Sequence, residues 1–108
     1  MKLIKQSKHF DYAVFRLPEK FENLFTIEFK EKINDTILSG NKNIILDFTD
    51  NKVINSSGIG ALISLYKSIK LNNGKLVIVG LNAETQKVFD ITKLNNLFEI
   101  YDTLNSVK

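Results

Sequence analysis

The sequence contains no cysteine, so a disulfide framework, a thiol nucleophile, a CxxC redox pair and a thiolate zinc site are all excluded. It has one histidine, His9, which leaves no basis for a multi-histidine metal site or a paired-histidine mechanism. No apolar run approaches the roughly 20 residues that a membrane-spanning helix requires. The opening residues are too short and too broken by lysine to act as a secretory signal. These absences predict a soluble cytoplasmic protein with no metal and no cofactor. What is present is ordinary for a globular fold: 108 residues, 44% of them hydrophobic and 25% charged. That is one domain, residues 1–108, able to build an apolar core without staples.

The formal charge of +3 invites a nucleic-acid reading, and its distribution argues against one. Residues 1–55 hold nine bases and eight acids, and residues 56–108 hold six and four. Arg16 is the single arginine, whereas phosphate and base-edge recognition favour the guanidinium fork. No lysine cluster alternates with aromatics. Direct nucleic-acid binding and membrane binding are therefore not expected.

Short β-rich runs alternate with helical periods along the chain. Lys2 to about His9 and Tyr12 to Leu17 read as two strands that reverse near Phe10-Asp11, and Pro18 closes the second. From Asn23 onward Phe25, Phe29, Ile33 and Ile37 recur every fourth residue, which predicts an amphipathic helix ended by Ser39-Gly40-Asn41. Asn43 to Phe48 is a near-continuous apolar run, as in a strand covered on both faces. After the polar loop Thr49 to Lys52 and the short Val53-Ile54, a second helix starts near Ser57. Its predicted buried face is Ile59, Leu62, Ile63, Tyr66 and Ile69, and Asn72-Asn73-Gly74 stops it. Lys75 to Gly80 is another buried strand. Asn82 stands at a helix N-cap with Glu84 in the first turn, and that helix carries Val88, Phe89 and Ile91 inward. Leu97 to Tyr101 is a last strand, and Asp102 to Val107 a closing helical turn or two. The order β-β-α-β-α-β-α-β, with a further α at the end, predicts a single α/β domain. Its sheet is mixed, mostly parallel and of about five strands, with an N-terminal antiparallel hairpin and helices packed on it.

In such a sheet the functional edge is where strands end and helices begin. There the chain reads Val53-Ile54-Asn55-Ser56-Ser57-Gly58-Ile59-Gly60. Two hydroxyls precede two glycines at a helix entrance. Asn and Ser are favoured N-caps, and glycine lets a helix pack closely, so these residues alone favour mere capping over a site. P-loop and dinucleotide-binding glycine patterns are absent. So is GxSxG, and His9 lies far in sequence from Ser56, which argues against a serine nucleophile and leaves His9 as a solvated strand residue. Asp47 and Asp50 read as solvated loop acids without a third metal ligand. No catalytic residues are visible, and an enzyme is not predicted.

The segments Ile44 to Thr49 and Val53 to Leu62 together resemble the signature of STAS domains, and within them the bacterial anti-sigma factor antagonists. The resemblance continues through Asn73-Gly74-Lys75-Leu76-Val77-Ile78-Val79 and Val88-Phe89-Asp90-Ile91-Thr92-Lys93-Leu94, spanning about residues 10–101. It implies a partner switch. The unmodified protein binds an anti-sigma factor that is also a serine kinase, and so frees a sigma factor. Phosphorylation of Ser56, with Ser57 as the second choice, reverses binding, and a phosphatase restores it. The implied partner surface is Glu22, Asn23, Asn55, Ser56, Ser57, Gly58, Ile59 and Gly60, with Ser57 acting chiefly as a helix cap.

Three departures accompany the resemblance. Asn55 stands where the family usually has Asp. Lys20 and Glu22 occupy the positions of two acids before the first helix, and Lys93 replaces a common glycine. The alternative function, favoured by the missing Asp, is a STAS module that acts without phosphorylation as an assembly subunit of a transporter or signalling complex.

Overall fold

In a computed structural model the described residues are 5–9, 11–21 and 24–107. Glu22 and Asn23, both expected at the partner surface, lie outside them, as does Phe10 in the expected hairpin reversal. Strands β1 (Lys5–His9) and β2 (Tyr12–Arg16) pair antiparallel. Strands β4 (Asn43–Asp47), β6 (Lys75–Val79) and β7 (Glu99–Tyr101) continue the sheet in parallel, giving the order β1-β2-β4-β6-β7. This is the predicted mixed, mostly parallel five-stranded sheet. A feature not anticipated from the sequence is a second sheet, in which β3 (Lys20–Phe21) pairs in parallel with β5 (Val53–Ile54).

Helices α1 (Leu24–Leu38), α2 (Ser56–Leu71) and α3 (Ala83–Ile91) supply the crossovers. Side chains alternate across β2, so Ala13 and Phe15 point to one face and Tyr12 and Val14 to the other, and all four are buried. On the first face Phe15, Ile44, Leu46, Leu76 and Ile78 meet Phe29, Ile33 and Ile37 of α1, Leu62, Leu65 and Ile69 of α2, and Phe89 of α3. Each such side chain contributes about 1.5–3 kcal/mol on burial. The second face gathers Tyr12, Val14, Ile45, Val77 and Val79 beneath Val107.

Four details depart from the sequence reading. The inner stripe of α2 is Gly58, Ala61, Leu62, Leu65 and Ile69, with Ile59, Ile63 and Tyr66 half-buried at its margin. The small residues Gly58 and Ala61 let the helix settle on that line. Ile91 faces outward at 80% exposure. The closing segment is a short 3₁₀ turn, Leu104–Ser106. Finally, His9 is half-buried and its Nε2 donates to the Val107 carbonyl at 2.7 Å, so it ties the end of the chain to the hairpin instead of standing in solvent.

Candidate functional site

Strand β5 delivers the chain directly into α2 through Asn55. That residue keeps an extended backbone (φ −103°, ψ −177°), and its Oδ1 accepts the N–H of Gly58 at 3.0 Å. Asn55 is therefore the N-cap, and the capping role expected of Ser57 belongs to it. Ser56 and Ser57 are the first two helical residues, and both are exposed. Their surroundings separate them. The Ser57 hydroxyl lies 3.4 Å from the hydroxyl of Thr26, a buried residue of α1. The Ser56 hydroxyl has no hydrogen-bond partner among the described residues.

The two glycines also separate. Gly58 is buried, and a Cβ there would stand 2.6 Å from the Phe21 carbonyl oxygen and 2.8 Å from Ile54 Cγ1. The close approach it permits is thus internal, between α2 and the small β3–β5 sheet. Gly60 is exposed, with nothing within 4 Å of a Cβ. Ile59 lies half-buried between them. The structure thus brings Asn55, Ser56, Ser57, Ile59 and Gly60 together on one helix end.

The first turn of α2 has no acidic side chain, so the partial positive charge of the helix N-terminus, about half an elementary charge, is not offset within its own turn. Asn55 reproduces the capping bond that an Asp would make without bringing its charge.

Asp47 is not a solvated loop acid: it is 3% exposed. Its Oδ2 accepts from Arg16 Nε at 3.3 Å and from an Arg16 terminal nitrogen at 3.1 Å, and its Oδ1 accepts the Thr49 N–H at 2.9 Å and the Thr49 hydroxyl. Asp50 stays exposed, 3.7 Å from the same guanidinium. Two acids that read alike in sequence therefore differ, because strand pairing sets Asp47 opposite Arg16. Among the described residues no group of three or more histidine or acidic side chains is arranged to hold a metal ion. None of the described helices is long and apolar enough to cross a membrane.

Two grooves flank these features. One of about 450 Å³ is lined by Arg16, Asp47, Thr49, Gly80 and Leu104 among others, and shares no residue with the Asn55–Gly60 segment. A smaller one, about 160 Å³, is formed by Lys52, Val53, Ile54, Glu84, Thr85 and Val88. Sequence reasoning missed this second groove, because it joins β5 to a helix some thirty residues further on. Asn51 was missed as well. It is 1% exposed, although an asparagine in a polar loop carries no pattern that distinguishes a buried one.

Comparison with known proteins gives a consistent result. The family model for the STAS domain matches residues 4–107. A Thermotoga maritima protein named as an anti-sigma factor antagonist is 30% identical over 97 residues, covering 88% of this chain and 86% of that one. A crystal structure of a T. maritima protein with the same description superposes with a TM-score of 0.87 at 25% identity, covering 97% of this chain and 91% of that one. The Bacillus cell-fate determinant SpoIIAA in its phosphorylated form superposes with a TM-score of 0.74, covering 96% of each chain. Its 18% identity speaks to the fold alone.

Proposed function

The chain belongs to the STAS domain family, and from that premise we propose that it is an anti-sigma factor antagonist whose binding is switched by phosphorylation of Ser56. The unmodified form binds a cytoplasmic anti-sigma factor that is also a serine kinase, and a sigma factor is released. The kinase then transfers a phosphoryl group. The Ser56 Oγ forms a bond to the γ-phosphorus of ATP as the bond to ADP breaks, and the hydroxyl proton passes to a base of the kinase. A phosphatase hydrolyses the phosphoserine and resets the switch. The chain itself supplies no catalysis.

The observation that carries this reading is the position of the Ser56 hydroxyl: exposed, without a partner among the described residues, and at a helix N-terminus with no acid in its turn. Phosphorylation adds about −1.5 to −2 charge. The helix dipole offsets some of that locally, by roughly 0.3–1 kcal/mol, so the fold survives. An interface packed against a small hydroxyl does not, because it meets a bulky dianion and an uncompensated desolvation cost. The name of a relative, an anti-sigma factor antagonist, supports the antagonist role.

The assembly-subunit alternative rests on the missing Asp. Asn55 makes the capping bond to Gly58, so loss of the carboxylate does not disable this helix end. Incubation with a kinase-type anti-sigma factor and ATP, read by intact mass, tests the assignment. One added phosphoryl group that disappears in Ser56→Ala is expected; no addition, or addition retained in Ser56→Ala, contradicts it.

A further inference from the structure

Asn51 is a buried polar residue that the switch does not use directly. It is 1% exposed, while its neighbours Asp50 and Lys52 are exposed. Its Nδ2 points at three main-chain carbonyls: Pro18 at 2.9 Å, Val53 at 3.2 Å and Glu19 at 3.3 Å. An amide has two hydrogens, so three acceptors share them and the group is held from three sides. Its Oδ1 is buried without a hydrogen-bond partner among the described residues. An unpaired buried amide oxygen costs stability, which an apolar side chain in the same place would avoid. A residue kept at such a cost is explained by the geometry it enforces.

That geometry is the approach to Ser56. Pro18 and Glu19 lead into β3, and Val53 opens β5. The N–H groups of Lys52 and Val53 donate to the Glu19 carbonyl at 2.8 and 3.0 Å. Strand β5 is two residues long, and Asn55 and Ser56 follow it at once. On the other side the Asn51 carbonyl accepts from Asn82 Nδ2 at 3.0 Å, and Asn82 Oδ1 in turn caps α3 through the Thr85 N–H at 2.8 Å. The stretch before β3, the stretch before α2 and the start of α3 therefore meet at one residue. Resting on the reading that Ser56 is the modified hydroxyl, the geometry points to Asn51 as a positioning residue that sets the height and direction at which β5 presents Ser56 to a kinase.

The test compares phosphorylation kinetics of wild type, Asn51→Ala, Asn51→Ser and Ile69→Val by the kinase-type anti-sigma factor, with amide exchange measured on each. Ile69→Val trims the core at the far end of α2 and controls for lost stability alone. Asn51→Ala is expected to lower kcat/KM about tenfold or more, as misplacement of a reacting group does. Asn51→Ser, which keeps one donor, is expected to fall between, and Ile69→Val to stay within about twofold. Exchange at residues 52–58 should rise in Asn51→Ala while that of β6 does not. Phosphorylation of Asn51→Ala within twofold of wild type overturns the inference, as does an equal loss in Ile69→Val. If Asn51→Ala does not fold, Asn51→Ser decides on the same criteria. If wild type takes no phosphate, the switch reading fails, and the exchange data judge Asn51 separately: unchanged exchange at residues 52–58 overturns its positioning role.

Discussion

The Oδ1 of Asn55 accepts the Gly58 N–H at 3.0 Å, which makes an uncharged residue the cap of the helix that carries Ser56. Replacing Asn55 by Ala removes that acceptor and is expected to destabilise the protein by about 1 kcal/mol, measured by urea denaturation. Replacing it by Asp keeps the bond and adds a charge. Stability at neutral pH should then hold or rise slightly. In the phosphorylated protein, however, the added carboxylate should raise the second phosphate pKa, because like charges disfavour the dianion. A ³¹P titration of both forms checks the direction.

Gly58 and Gly60 are expected to respond in opposite ways. Gly58→Ala drives a methyl into the Phe21 carbonyl and Ile54 and should cost about 1–3 kcal/mol. Gly60→Ala meets open space on an exposed helical turn and should stabilise by roughly 0.5–1 kcal/mol. If Gly60 admits a partner's backbone, the same Gly60→Ala protein should bind the anti-sigma factor more weakly while melting higher.

Lys93 has φ 64° and ψ 16°, a left-handed conformation that a side chain disfavours by about 1–2 kcal/mol. This is the position at which the family resemblance leads one to expect glycine. Lys93→Gly should therefore raise stability by about 1 kcal/mol, less whatever entropy the more flexible unfolded chain gains. Thermal or chemical denaturation reads it directly.

At the outer edge of the sheet Glu99 receives Lys75 Nζ at 3.1 Å and the Tyr101 hydroxyl at 3.2 Å. Glu99, followed by Tyr12, raises the Lys75 pKa above its ordinary 10.5, and Glu99 raises that of Tyr101 above 10.0. A raised folded-state pKa gives stability that is fully present below the unfolded value and is lost as pH climbs through the folded one. The contribution should hold from neutral pH to about pH 10 and decline above it. Both partners of the Lys75–Glu99 pair are nearly half exposed, so its worth is under about 1 kcal/mol. Glu99→Gln should lower stability slightly from neutral pH to about pH 10 and converge on wild type above it, so that the alkaline limb of its stability profile is flatter.

The elements that repeat a period were legible in the sequence. Phe29, Ile33 and Ile37 line the inner side of α1, and the apolar runs at Ile44 to Leu46 and Leu76 to Val79 are strands buried on both faces. The entrances of α2 and α3 were legible too, because the Asn55–Ser57 run and Asn82 carry capping chemistry in their side chains. What stayed hidden depends on partners distant in the chain. Asp47 and Asp50 look alike until strand pairing buries Asp47 against Arg16 and leaves Asp50 exposed at the margin of the same guanidinium. His9 finds Val107 across the whole length of the domain. Lys20-Phe21 is too short to show an alternation, and nothing local in Asn51 announces that Pro18, Glu19 and Val53 surround it. The stripe of α2 was misplaced for a related reason. Gly58 and Ala61 count little on a hydrophobicity scale, yet they mark the line of closest approach.

The central claim is that one phosphoryl group on Ser56 separates this protein from its partner without unfolding it. Calorimetric titration of the same kinase-type anti-sigma factor with the unmodified chain and with the Ser56-phosphorylated chain, each also melted alone, tests it most directly. The account predicts binding by the unmodified chain, a loss of about a hundredfold or more on phosphorylation, and closely similar melting curves. Equal affinity of the two forms, or a phosphorylated chain that has lost its cooperative melt, would contradict it.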